Sequence, residues 1–366
     1  MKVTPSLTLA ITAKARKMKE QGVDVVSLAA GEPDTLPPEP VKEAAIQAVK
    51  DNFVQYTAES GISELKEAVV KKFRRDNGLD YKADNIIVSN GAKQVLFNAI
   101  FALGPGDFVV PVPFWLTYPE QIKMANSKTV FCRTENNQFK ADLIAEKITK
   151  DTKGIILNSP NNPSGAVVSR AELKRIADLA LSNNITILSD EVYEYFVYDE
   201  EHVSIASLGS EIKEKTVTIN SLSKSSGVPG WRIGYAGGPV DLIKDMSAIQ
   251  SHVTSNPCSI AQKAAVKALD FGKNPAVLKE YRERRDLMVE GLNSVGLHCQ
   301  KPAGAFYCWV KIDGDSMDFC SRLLEQSKVA IIPGEPFGMK DYVRLSYAVP
   351  KEKIKEAIKR IKIFLA

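Results

Sequence analysis

Short apolar runs recur from Ile86 to Ile219, each closed by glycine or small polar residues and most of them separated by helical patterns. They include Ile86-Ile87-Val88, Phe108-Val109-Val110, Gly154-Ile155-Ile156-Leu157, Ile185-Thr186-Ile187-Leu188 and Thr216-Val217-Thr218-Ile219. Runs this short suit strands buried from both sides, and intervening helices return the chain in the same direction. The pattern therefore predicts an α/β fold, with a mostly parallel sheet covered by helices on both faces. Such sheets bind ligands at the carboxyl ends of their strands. Gly91, Asn162, Asp190 and Lys224 each fall just after such an end, so four distant turns are expected to meet at one crevice.

Ser221-Leu222-Ser223-Lys224-Ser225-Ser226-Gly227 carries the sharpest chemistry, followed by Gly230-Trp231-Arg232. Small residues leave room beside Lys224. Serine hydroxyls can donate to an anion, and Arg232 can clamp it with two donors. A lysine held this way suits a Schiff base with an aldehyde whose phosphate is anchored nearby. A surface turn with one Lys and one Arg would read the same in isolation.

The other turns supply the context. Asp190 ends a buried run and needs a cation or donors; a helix N-cap or a partner for a protonated pyridine nitrogen both satisfy it. Tyr193 and Asn162 are placed to hold a phenolate oxygen of the same ring. Gly91-Ala92-Lys93 opens a helix whose free N–H groups suit a phosphate. Trp115 offers a face for a planar ring or a core contact. Arg344 alternates with apolar neighbours in Val343-Arg344-Leu345 and is set to bind a carboxylate, unless its strand face is simply solvated.

Other classes lose ground. No G-x-x-x-x-G-K-[ST] run and no post-strand G-x-G-x-x-G occurs, which disfavours nucleoside triphosphates and dinucleotides. The net charge of +4 over 366 residues is small, so nucleic-acid and membrane-surface binding have little support. The densest basic run, Arg282-Glu283-Arg284-Arg285, reads as a solvated helix face. Five cysteines without a C-x-x-C pair argue against a disulfide framework or zinc site and fit a cytoplasmic protein. The three histidines are isolated in sequence, so no metal is expected. Neither a signal peptide nor a transmembrane run is expected. After about residue 275 the pattern becomes a long helix, short strands and a basic terminal helix. Two domains are expected: 36–275, and a smaller α+β unit from 1–35 with 276–366.

Together these residues resemble the fold-type I, pyridoxal-phosphate-dependent class I/II aminotransferases. The resemblance runs in order through Gly31, Tyr56, Gly91-Ala92-Lys93, Trp115, Asn162, Asp190, Tyr193, Ser221, Lys224, Arg232 and Arg344. The phrasing of Ala29-Ala30-Gly31-Glu32-Pro33-Asp34, Pro113-Phe114-Trp115-Leu116-Thr117-Tyr118-Pro119 and Gly230-Trp231-Arg232-Ile233-Gly234-Tyr235 is similar to bacterial aspartate aminotransferases of the Ib subgroup. The resemblance implies a seven-stranded sheet, the cofactor pyridoxal 5'-phosphate and a homodimer with shared sites. It implies Lys224 as Schiff-base lysine and proton shuttle, and Asp190 on the pyridine nitrogen. Asn162 and Tyr193 are implied on the phenolate oxygen. Ser221, Arg232 and the Gly91-Ala92 amides, with the neighbouring subunit's counterpart of Tyr56, would hold the phosphate. Trp115 would stack on the ring. Arg344 would take the substrate α-carboxylate beside Gly31 and Asn162, and Lys93 a second carboxylate. The strip around Ser6 and Thr8 would close over substrate, and Ser255-Asn256 would join the subunit contact.

The expected reaction is ping-pong transamination from L-aspartate to 2-oxoglutarate. Alanine, aromatic amino acids, kynurenine or prephenate as substrate, or carbon–heteroatom elimination on the same fold, remain alternatives. A ligand-sensing module of a transcription regulator needs a DNA-reading segment, for which the chain shows no room.

Overall fold

The computed structural model describes residues 3–5 and 7–366, the Leu9 side chain aside; Ser6 lies outside the described residues. Its strands are β1 (Val26–Ser27), β2 (Ile86–Ser89), β3 (Asp107–Pro111), β4 (Lys128–Cys132), β5 (Thr152–Asn158), β6 (Thr186–Asp190), β7 (Thr216–Ser221), β8 (Gly234–Gly237), β9 (Tyr307–Lys311), β10 (Val329–Ala330), β11 (Ile332–Pro333) and β12 (Tyr342–Ser346). Seven of them form one sheet in the order β2-β8-β7-β6-β5-β3-β4. Neighbours from β7 to β4 are parallel, and β8 alone runs antiparallel to both of its partners.

Alternation along the strands explains why the apolar runs are continuous. Val109, Ile155, Leu157 and Ile187 pack on one side with Leu173, Ile176 and Ala180. Phe108, Val110, Ile156 and Leu188 face the other side, against Val95, Leu96 and Ala99. Both faces are therefore buried, as expected for a sheet with helices on each side. The helix Arg170–Ser182 shows the local logic. Ser169 caps it by accepting from the Glu172 amide, and its buried residues recur at helical spacing.

A second layer is built from the end of the chain. β12 lies between β11 and β9 in an antiparallel sheet. The helices Pro275–Ser294, Ser316–Ser327 and Lys351–Leu365 cover it. The N-terminal strip joins this part through the parallel pairing of β1 with β10, Val26 opposite Val329.

Three features depart from the sequence reading. Helices occupy Val240–Val253 and Ser259–Ala268, where no element was expected. Arg284 and Arg285 are buried rather than solvated. Arg284 reaches both oxygens of Asp34 at 2.8 Å, and Arg285 pairs with Asp199 at 2.5 Å beneath the Tyr198 ring. Glu280 and Asp286 pair with them locally, but Asp34 and Asp199 come from distant segments, which no local pattern announces. His202 is not isolated either, since its Nε2 lies 2.9 Å from Glu191. Glu191 and Glu194 share a buried network with Lys72, Asn77, Ser189 and Ser204. Lys72 supplies positive charge there, so the cluster reads as a buried ion pair.

Candidate active site

Strand register brings the expected turns together. Ser89 at the end of β2 and Ser221 at the end of β7 both pair with Gly234 at the start of β8. Asn158 at the end of β5 pairs with Asp190, which in turn pairs with Ile219. The turns carrying Gly91, Asn162, Asp190 and Lys224 thus leave β2, β5, β6 and β7 at the same end of the sheet, where β8 begins.

The turn after β2 makes an anion cradle. Gly91 has φ +84°, and a Cβ there would stand 2.4 Å from the Arg232 guanidinium. A Cβ on Gly234 would stand 2.1 Å from the Ala92 nitrogen. Both glycines therefore allow the backbone and Arg232 to close on one point. Helix Ala92–Ala102 begins there with no side-chain cap, leaving first-turn N–H groups for a ligand. Arg232, itself at φ 58°, donates to the carbonyls of Pro229 and Asn90. Ser221 accepts from the Ser223 amide, which leaves its hydroxyl proton for an acceptor in the crevice.

Asp190 is 3% exposed and no helix follows it, so it is not a helix cap. Its Oδ2 accepts from the Tyr118 hydroxyl at 2.6 Å and its Oδ1 from the Val192 amide at 3.4 Å. Burial raises its pKa to about 6 against these two donors. Lys224 contacts the Gly31 carbonyl, with its ammonium 6.0 Å from the Tyr193 ring centre. Burial lowers its pKa to about 8, opposed by Glu32 and assisted by Arg344 and Arg232.

Arg344 completes the opposite wall. Val343 and Leu345 point into the core of the second layer, and Arg344 points away from it, as strand alternation requires. It is 4% exposed, yet among the described residues no carboxylate stands within ion-pair distance. Nη1 donates to Asn162 Oδ1 at 2.9 Å and Nη2 to the Ala29 carbonyl at 3.0 Å, while Nε is buried without a partner. The guanidinium lies 4.4 Å from the Tyr307 ring centre, and burial depresses its pKa. Because Asn162 Oδ1 is engaged, its amide group is left to donate.

Trp115 is half-buried and packs edge-on against Tyr118 at 5.5 Å. The exposed Lys93 holds its ammonium 5.1 Å from the Trp115 ring centre. Tyr56 stands apart at 89% exposure. The sequence reading missed Tyr118 and Tyr307 as site residues. Both sit in apolar surroundings, where a tyrosine reads as core; a buried hydroxyl that needs a partner was the available signal.

This arrangement fits pyridoxal phosphate: an anion cradle, a buried carboxylate, a lysine of lowered pKa and paired tyrosine and asparagine donors. A family model described as aminotransferase class I and II matches residues 23–361. The chain belongs to this family, and it is a transaminase. An aspartate aminotransferase from Bacillus sp. (strain YM-2) is 42% identical, over 99% of this chain and 97% of its own. A probable aspartate/prephenate aminotransferase from Rickettsia felis is 41% identical, over 98% and 93%. A solved aspartate aminotransferase from Thermus thermophilus with maleate superposes with a TM-score of 0.95, at 39% identity, over 99% of this chain and 97% of that one.

Proposed function

We propose that this chain transfers the amino group of L-aspartate to 2-oxoglutarate by a ping-pong route, as a homodimer that carries pyridoxal 5'-phosphate. The observation that carries the substrate side is Arg344, a buried guanidinium without an acid partner among the described residues. A buried charge of this kind is costly unless a ligand anion meets it. An amino acid and a 2-oxo acid both bring the required carboxylate.

When bound, the cofactor supplies an electron sink that makes the substrate Cα proton removable. The protein supplies the rest. Arg232, Ser221 and the Gly91-Ala92 amides hold the phosphate. Asp190, ionised above about 6, balances a protonated ring nitrogen. Asn162 and Tyr193 donate to the ring oxygen, and Trp115 covers one face. Lys224, with a pKa of about 8, is partly neutral at physiological pH and takes the Cα proton as general base. Lys93 meets the second carboxylate, steadied over Trp115. Exposed Tyr56 serves the neighbouring subunit's phosphate site. The division into 36–275 and 1–35 with 276–366 places Arg344 and Lys224 on different domains, so closure would bring the carboxylate receptor onto the base. Prephenate, itself a dicarboxylate, fits the same two cationic ends.

The test is a spectral titration of the cofactor-loaded protein with aspartate and no acceptor. The visible band should give way to a shorter-wavelength band and return on addition of 2-oxoglutarate. No change with aspartate would move the substrate to a neutral or aromatic amino acid, or the reaction to elimination.

A further inference from the structure

Tyr307, on β9, touches three groups of the site. Its hydroxyl lies 2.8 Å from that of Tyr193. Its ring supports the Arg344 guanidinium. A Cβ on Gly31 would stand 2.9 Å from its hydroxyl, so the glycine leaves it room. The side chain is fully buried, with Phe306 and Tyr193 packed against the ring at 4.8 and 5.8 Å. A tyrosine fixed this firmly has a hydroxyl of fixed direction.

We propose that Tyr307 is a positioning residue for this reaction: its hydroxyl donates to Tyr193 Oη and so commits the Tyr193 proton to the crevice. The inference rests on the functional reading above. Two hydroxyls at this distance place one proton between them, and the accepting tyrosine keeps a spare proton. Tyr193 faces Lys224, so a spare proton there is available to a ring oxygen. With the roles reversed, the Tyr307 proton would sit against Gly31, where it has no other acceptor among the described residues. The charged groups facing the pair are Arg344 from β12, Glu32 from the turn after β1, Asp190 at the end of β6, and Lys224.

A hydroxyl that accepts a hydrogen bond is a stronger donor. Cooperative strengthening of roughly 10–30% on a charge-assisted bond amounts to a few tenths of a pH unit for the anion that Tyr193 serves. A donor to the ring oxygen favours the less protonated form of the cofactor, so weakening it raises the pH at which the visible band titrates.

The test is an absorbance–pH titration of the cofactor-loaded wild type, Tyr307→Phe, Tyr193→Phe and the double variant. Tyr307→Phe should raise the midpoint by a few tenths of a unit and leave the aspartate KM within about twofold, because the ring under Arg344 is retained. On the Tyr193→Phe background the same change should add nothing. An unshifted midpoint, an equal shift on the double background, or a shift tied to a large KM rise would each overturn the inference. A wild type without a pH-dependent visible band, or one unresponsive to both substrates, would instead sink the functional reading.

Discussion

Tyr118 donates its hydroxyl proton to Oδ2 of Asp190 across 2.6 Å, from a helix that starts just after Trp115. Burial, with a smaller push from Glu191, drives the carboxyl pKa up, and this donor is the largest of the influences that pull it back. Tyr118→Phe should therefore raise the Asp190 pKa above about 6, toward neutrality. A hydrogen bond to a charged group is worth about 1.5–3 kcal/mol, so cofactor affinity should fall roughly tenfold or more. The loss should be greater at pH 6 than at pH 8, because the variant's carboxyl is more protonated there. Cofactor titrations at the two pH values check this; equal losses would remove Tyr118 from the charge balance.

Lys224 gives a stability prediction for the cofactor-free protein. Its folded pKa of about 8 lies below the usual lysine value of 10.5, so between these values the unfolded chain binds more protons. Stability contributed by this site therefore rises as pH climbs from about 8 to 10.5, and the burial penalty is fully present below about 8. Lys224→Met removes that penalty and keeps the packing. The variant should be more stable than wild type at pH 7 by up to ~3 kcal/mol, at ~1.36 kcal/mol per unit. The gain should shrink by pH 10. Denaturant melts at both pH values check it, and the same variant should lose transamination by at least ~100-fold.

The sheet and the crevice were legible because they rest on local periodicity. A buried strand announces itself by apolar residues on both faces, and its carboxyl end then locates Asp190 and Lys224 without tertiary information. Arg344 was legible for the same reason, since Val343 and Leu345 fix which face it takes. The burial of Arg284 and Arg285 was not, because Asp34 and Asp199 lie 250 and 86 positions away, and their local partners Glu280 and Asp286 would read the same on a solvated helix face. The antiparallel direction of β8 was not legible either, because it depends on pairing with both β2 and β7. Tyr56 is exposed and apart from the crevice of its own chain, so a role in a site would require a second copy.

Arg344→Lys tests the carboxylate receptor. A guanidinium offers two parallel donors to a carboxylate, and an ammonium does not. Loss of one charge-assisted bond is worth about 1.5–3 kcal/mol, so KM for both amino acid and oxo acid should rise roughly 10- to 100-fold. Cofactor affinity should change little, because Arg344 meets the cofactor side only at second hand, through Asn162 and the Tyr307 ring. Steady-state kinetics with each substrate, alongside a cofactor titration, separates the two effects.

Lys93→Ala separates the two ends of the substrate. The ammonium sits over Trp115, and both the surrounding protein and Arg232 hold its pKa below the usual lysine value. A second substrate carboxylate would relieve that charge crowding. Aspartate should lose about 10-fold or more in kcat/KM, and alanine less than about twofold. Equal losses for the two amino acids would place Lys93 outside the distal pocket.

Arg284 tests the buried ion pair that the sequence alone hides. Its guanidinium holds both oxygens of Asp34, and Tyr281 donates to the same carboxylate at 2.9 Å. Asp34 follows Gly31 by three residues, and Gly31 carries the carbonyl that Lys224 contacts. The pair therefore ties the helix Pro275–Ser294 to the turn that lines the substrate side. Arg284→Met keeps the hydrocarbon stem against Tyr281 and removes the charge. Asp34 retains Tyr281 and some contact with water, so the cost should stay near ~1–2 kcal/mol, below the 3–5 kcal/mol typical of a fully buried pair. KM should rise more than kcat falls, because the turn loses its anchor while Lys224 stays on the short helix that follows β7 and Asp190 keeps Tyr118. Arg284→Lys should recover part of the KM loss, since an ammonium can still reach one oxygen of Asp34. Denaturant melts and the ratio of the two kinetic effects check this, and a stability loss without any change in KM would make the pair purely structural.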